Sequence, residues 1–167
     1  MATCYILVGC PGSGKTTFIN QNYYDFPAAE DGELPIISGT DKYIERIAEA
    51  LELTYSEVFK DAYKLAEKLF WDDIVVAANE RLDIIIDRTS MSRGSRHKFF
   101  SALRATHRME AIVFPVPEDL KVRLDNRHGK HIPQNVVNNM INSFEMPSMS
   151  EGFDAVWDVK SFVESLQ

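Results

Sequence analysis

Near the amino end, Gly9-Cys10-Pro11-Gly12-Ser13-Gly14-Lys15-Thr16 fits G-x-x-x-x-G-K-[ST] at every fixed position. These residue types at this spacing dictate a chemistry. Glycines let the backbone curl so that successive N–H groups point inward at anionic oxygens. A helix starting at Lys15 would add the positive end of its dipole. The lysine reaches the outer phosphates of a nucleoside triphosphate, and the following hydroxyl can ligate Mg²⁺. Gly12, Ser13, Gly14, Lys15, Thr16 and Thr17 are therefore expected to hold ATP, with Thr16 on the metal and Thr17 adding a contact near the phosphates. Cys10 reads as a small loop filler rather than a reactive thiol.

Such a loop serves hydrolases and phosphotransferases alike, so the rest of the chemistry must come from elsewhere. The chain has no Asn-Lys-x-Asp guanine-reading motif, and its length leaves no room for a motor core with coupling elements. Phosphoryl transfer to a hydroxyl needs a carboxylate to take the proton and cations over the phosphates. Asp41, in Ser38-Gly39-Thr40-Asp41-Lys42-Tyr43, could be that carboxylate; an Asp at a helix start is equally a cap. Asp87, followed by Arg88-Thr89-Ser90, could hold a water of the metal shell or orient an acceptor-binding cation; its plain reading is a turn residue. Arg123, Arg127, His128, Gly129, Lys130 and His131 form a cationic segment closed by Pro133. Arg123 and Arg127, four apart, should share a helix face, and the segment reads as a lid over the phosphates; the competing reading is a solvated helix end. His128 and His131 have no partners at metal-ligand spacing and read as surface residues.

These groups need a scaffold that brings them to one place. Apolar runs predict strands over 3–8, 34–38, 82–86, 109–116 and 154–159, the second following an acidic turn at Glu30-Asp31-Gly32-Glu33. Helical patterns fall between them, at 15–22, 41–51, 56–80, 92–105, 118–127 and 133–144. Strands alternating with helices predict an α/β fold: a mainly parallel sheet of about five strands, flanked by helices, with right-handed crossovers. Ligands should then sit beyond the carboxyl ends of the strands, where the phosphate loop, Asp41 and Asp87 all fall.

Composition bounds the remainder. Of 167 residues, 45% are hydrophobic and 26% charged, enough apolar surface to exclude wholesale disorder. No apolar run approaches the ~20 residues of a membrane span. Two cysteines, Cys4 and Cys10, and no visible secretory leader place the chain in a reducing cytoplasm. The length predicts a single domain over 1–167, with the lid at about 123–133. The net charge of −7 makes a poor general nucleic-acid binder. Yet the stretch from Arg88 to Arg108 holds Arg88, Arg93, Arg96, Lys98, Arg104 and Arg108 and no acid. That stretch is either a solvated basic helix or a local anion-attracting patch beside the phosphate site.

Taken together, four segments resemble the phage polynucleotide 5′-kinase family: the glycine loop, the Asp-x-Tyr after the second strand, Ile-Ile-Asp-Arg-Thr-Ser before an Arg-rich helix, and Arg-x-x-x-Arg-x-Gly-Lys-x-Ile-Pro. The resemblance runs from the loop to about Phe144. It implies an adenylate-kinase-like P-loop kinase fold with a helical lid, moving the γ-phosphate of ATP to a 5′-hydroxyl of DNA or RNA. By this resemblance Asp41 is the general base, Lys15 and Arg127 are catalytic on the phosphates with Arg123 assisting, and Asp87 and Arg88 lie on the acceptor side. The family's acceptor-gripping arginine, three residues after the base, is Ile44 here, so Arg88, Arg46 or the basic stretch must take that role or the acceptor differs. The family's phosphatase domain is expected to be absent. A kinase of a hydroxymethylated base in DNA, a small-molecule or nucleoside kinase, and an ATP-binding adaptor remain the alternatives.

Overall fold

The computed structural model describes residues 1–27 and 32–167; Glu30 and Asp31 of the expected acidic turn lie outside the described residues. Five strands form one sheet: β1 (Ala2–Val8), β2 (Ile36–Ser38), β3 (Ile84–Ile86), β4 (His107–Val113) and β5 (Ala155–Asp158). Their order is β2-β3-β1-β4-β5, and every pairing is parallel. The register sets Cys4 of β1 beside Ile84 of β3 on one side and Met109 of β4 on the other. All carboxyl ends therefore share one rim, with β1 central.

Helices cover both faces, and the two-residue period of β1 shows why. Cys4, Ile6 and Val8 enter a core with Phe70, Ile74 and Ala77 of α3 (Tyr55–Glu80) and Phe99 and Leu103 of α4 (Arg93–Leu103). Tyr5 and Leu7 face the other way, into a core with Phe18 and Ile19 of α1 (Lys15–Asn22) and Phe162 of α7 (Val159–Ser165). Between β2 and α3, α2 (Thr40–Ala50) packs Ile44 and Ala48 against Val58, Ala62 and Ala66. After β4 come α5 (Leu120–Asp125) and α6 (Gln134–Asn142). No helix among the described residues is long and apolar enough to cross a membrane.

Most element ends shift by one or two residues from expectation, and three departures are larger. Strand β4 stops at Val113 rather than Val116, because Pro115 has no N–H to continue the ladder. Helix α5 ends at Asp125, so Arg127 sits in the following loop and does not share a helix face with Arg123. Helix α7 was not anticipated, although Asp158 caps it by accepting from the Ser161 N–H at 3.0 Å and its Phe162 is buried.

One close approach knits the sheet rim together. The Asp87 N–H donates to the Ser38 carbonyl at 2.7 Å, and a Cβ on Gly39 would stand 2.6 Å from the Asp87 carbonyl oxygen. Gly39→Ala is therefore expected to force the β2–α2 junction away from β3, at about 1–3 kcal/mol of stability. Thermal unfolding checks this, and an unshifted transition would contradict it.

Candidate active site

The glycine loop leaves β1 and enters α1. Gly12 and Gly14 adopt φ of +82° and +99°, where a side chain would be strained. No side chain caps α1, so its first N–H groups remain available to an anion. Lys15 is buried, and its ammonium donates to the carbonyls of Gly9 (2.8 Å) and Cys10 (3.0 Å). Burial pulls its pKa below the ordinary lysine value, against the opposing pull of Asp87. The Ser13 hydroxyl is buried without a partner among the described residues. An uncapped helix end, an orphaned hydroxyl and a lysine held only by loop carbonyls are the features a triphosphate would satisfy. Thr16 and Thr17 are exposed in the first turn. Among the described residues no three His, Cys, Asp or Glu side chains form a metal cluster, and the Thr16 hydroxyl is the loop group that could ligate a cation beside a bound phosphate. Burial pushes the Cys10 thiol up, in keeping with an inert filler.

Helix α5 lies over this loop. A Cβ on Gly12 would meet Leu120 at 2.9 Å and Leu124 at 3.2 Å, and one on Gly14 would lie 4.0 Å from Arg123 Nη1. Arg123 donates to Asp119 at 2.7 Å and stays half exposed beside the loop. Arg127 is partly buried, makes no side-chain hydrogen bond among the described residues, and lies close enough to bias the charges of Cys10, Lys15 and Asp41.

Two carboxylates from neighbouring strand ends enter the same field. Asp41 is in the first turn of α2, but the N-cap is Gly39 and no side chain caps that helix. The capping reading of Asp41 therefore fails. Its two oxygens are instead taken by Tyr55, whose hydroxyl donates to Oδ1 at 2.6 Å, and Lys130, whose ammonium donates to Oδ2 at 2.7 Å. Burial pushes the Asp41 carboxyl up, but the Lys130 charge and these hydrogen bonds outweigh it and hold the pKa below the usual aspartate value. Asp87 is different: burial raises its pKa, Lys15 lowers it, and the Asp41 charge raises it again. The Asp87 side chain makes no hydrogen bond among the described residues. That leaves its carboxylate available to a ligand.

The lid segment is docked rather than loose. The Ser56 N–H donates to the Gly129 carbonyl at 2.9 Å, and the His131 N–H donates to Ser56 Oγ at 3.0 Å. Gly129 has φ of +70°, and a Cβ there would stand 2.9 Å from that of Thr54. Lys130 also reaches Glu45 at 3.1 Å and lies 4.2 Å above the Tyr55 ring. Tyr55 and Glu45 escaped the sequence reading. Neither sits in a motif, and both matter only because α2, α3 and the lid converge.

The acceptor-side cations fare differently. Arg88 donates to both Glu67 oxygens at 3.0 and 3.1 Å and lies 4.8 Å over the Phe70 ring, so it ties β3 to α3. Arg96 pairs with Glu151, Arg104 with Asp154 and Arg108 with Glu110. Four of the six cations in the basic stretch are thus compensated, three by acids distant in sequence and Arg108 by its strand neighbour Glu110, so the anion-attracting reading of the stretch is largely neutralised. Arg93 and Lys98 carry no ion pair among the described residues.

A family model described as an AAA domain matches residues 5–147. The chain belongs to that family. Among solved structures, this AAA-domain chain is similar to one in the Pnkp1/Rnl/Hen1 RNA repair complex, with 22% identity and a TM-score of 0.64 over 85% of this chain. It spans 43% of that chain's length. A sugar kinase from Janibacter is 16% identical with a TM-score of 0.59, covering 99% of this chain and 90% of that one. Shikimate kinase from Aquifex aeolicus is 14% identical with a TM-score of 0.53, covering 98% and 96%. These likenesses show a P-loop kinase-like fold.

The Lys130–Asp41 pair makes a pH prediction. Without Lys130, burial pushes the Asp41 carboxyl up against only the Tyr55 hydrogen bond and the Arg127 charge. In Lys130→Ala the acidic limb of kcat/KM, which reports free-enzyme groups, is expected to move to higher pH. A limb at the wild-type position would show that Asp41 does not set it.

Proposed function

We propose that this AAA-domain chain is an ATP-dependent kinase acting on a hydroxyl of a nucleic acid, foremost the 5′-hydroxyl end of DNA or RNA. The carrying observation is that the glycine loop with Lys15, Asp41 and Asp87 follow the carboxyl ends of the neighbouring parallel strands β1, β2 and β3 on one rim, with Arg127 close enough to bias the charges of Lys15 and Asp41. ATP lies along Gly12–Thr17, with Arg123 and Arg127 above it and Mg²⁺ on Thr16. When bound, the metal neutralises charge on the phosphate oxygens. The acceptor hydroxyl takes the place of the Tyr55 hydroxyl on Asp41 and gives it its proton. The acceptor oxygen bonds to the γ-phosphorus as the bond to the ADP oxygen breaks. Lys15 leaves its loop carbonyls for the phosphates, and with Arg127 it stabilises the transferring group. Asp87 lines the acceptor side. The similarity to a chain of an RNA repair complex supports the nucleic-acid acceptor.

A small-molecule acceptor is the second reading, favoured by the neutralised basic stretch and by the sugar kinase and shikimate kinase likenesses. Labelled ATP offered to a 5′-hydroxyl oligonucleotide, a 5′-phosphorylated duplex carrying hydroxymethylated bases, and free nucleosides or sugars separates them. Label on the oligonucleotide end supports the proposal. Label only on the modified duplex or a small acceptor overturns it in favour of that acceptor. ATP binding with no labelling would favour an adaptor. Transfer to a polynucleotide should also weaken steeply with salt, because each neutralised phosphate releases counterions.

A further inference from the structure

Directly after β3, between α3 and the start of α4, lies a small cavity of about 70 Å³ lined by Arg88, Thr89, Ser90, Ser95, Lys98 and Phe99. Three observations set it apart. Ser90 is only 3% exposed, yet its hydroxyl has no partner among the described residues. Buried hydroxyls are otherwise almost always hydrogen-bonded. The Ser90 backbone also sits at φ +45°, a conformation that side-chain-bearing residues rarely adopt. Arg96 holds it there, donating from Nη1 to the carbonyls of Ser90 (2.9 Å) and Met91 (3.1 Å). Strain of this kind collects where a ligand is gripped. Finally, the lining brings two cations and no acid. Arg88 is shared with Glu67, whereas Lys98 is exposed and carries no ion pair among the described residues.

We infer that this cavity is an oxyanion subsite that takes a phosphate of the acceptor, with the Ser90 hydroxyl donating to it and Lys98 and Arg88 supplying the charge. The inference rests on the kinase reading for the source of that phosphate. The cavity has room for a few waters or one tetrahedral oxyanion, and not for a nucleoside. It begins one residue after Asp87, on the rim where Asp41 stands. Ile44 of α2, three residues after Asp41, is fully buried against α3, so that position supplies no cation to the acceptor. The subsite supplies it from the opposite side of the acceptor, out of β3 and α4. It also gives a use to Lys98, one of the two cations of the basic stretch left without an acid.

The test compares wild type with Lys98→Ala, an exposed substitution that should not disturb folding, and with Ser90→Ala. Each is given a nucleoside 3′-phosphate and the same nucleoside without phosphate as acceptors. Wild type should prefer the phosphorylated acceptor, and the ratio of the two kcat/KM values should fall about tenfold in each variant, the size of one lost charge-assisted contact. A wild type without preference, or a ratio unmoved by both substitutions, overturns the assignment. Should wild type label neither acceptor, the kinase reading fails separately. Titration of inorganic phosphate into the Lys15→Ala chain then decides the subsite by amide NMR. Saturable shifts at Ser90 and Ser95 that vanish with Lys98→Ala added sustain an anion site. Their absence at millimolar phosphate ends it. Phosphate binding combined with equal use of both acceptors assigns the cavity to free phosphate and overturns the acceptor role.

Discussion

Asp41→Asn should lower phosphoryl transfer by about 10²–10⁴-fold, the range of a lost proton acceptor. ATP affinity should hold within about twofold, because the Asp41 side chain hydrogen-bonds Tyr55 and Lys130 and no residue of the glycine loop. Asparagine keeps the shape and can still accept from the Tyr55 hydroxyl, but it has no charge to hold Lys130 and no basicity to take a proton. Turnover and calorimetric ATP binding on the same preparation separate the outcomes. Transfer at more than half the wild-type rate would remove Asp41 from the chemistry. A parallel loss of ATP binding would make it a structural residue. Tyr55→Phe is the control for the latch. It frees one Asp41 oxygen without touching the charge, so it should leave transfer within a few-fold of wild type.

Glu151→Ala is expected to cost about 3–5 kcal/mol of folding stability, the range for a buried charge left without its partner. The Arg96 guanidinium is fully buried and Glu151 is 5% exposed, joined by bonds of 2.6 and 2.8 Å. The same guanidinium fixes the strained Ser90–Met91 turn, so its loss of partner reaches the rim of the site. For a chain of this length each kcal/mol moves the unfolding midpoint by roughly 2–4 °C, so the midpoint should fall by about 6–20 °C. Glu151→Gln keeps an acceptor for Arg96 and should lose distinctly less. A midpoint within a degree or two of wild type for the alanine variant would mean that solvent reaches Arg96.

The glycine loop and the α/β architecture were legible because each is written locally. The loop needs eight consecutive residues, and Ile84-Ile85-Ile86 or the alternation of Cys4, Ile6 and Val8 with Tyr5 and Leu7 declares a buried strand whatever its partner. Asp41 and Asp87 were legible as positions, since a parallel sheet must put both strand ends on one rim. What could not be read was pairing across distance. Arg96 looked like one more cation of a basic helix; its burial depends on Glu151, 55 residues away. Lys130 looked like part of a free lid, and its docking depends on Asp41, 89 residues away. The shortened α5 moved Arg127 into a loop, because the apolar pattern of 118–127 carries no signal for where hydrogen bonding stops. Helix α7 was not legible although Val159, Phe162, Val163 and Leu166 follow helical spacing, because the strand expected over 154–159 absorbs its first residue and only two turns remain.

Whether Asp41 takes the acceptor proton is decided by a structure of the chain with a non-hydrolysable ATP analogue, Mg²⁺ and an acceptor oligonucleotide bearing a 5′-hydroxyl. Tyr55 should be displaced from Asp41, with the acceptor oxygen within about 2.6–3.2 Å of the Asp41 carboxylate and about 3–3.5 Å from the γ-phosphorus. An acceptor hydroxyl seated near the γ-phosphate while Asp41 stays bound to Tyr55 and Lys130 would contradict that role.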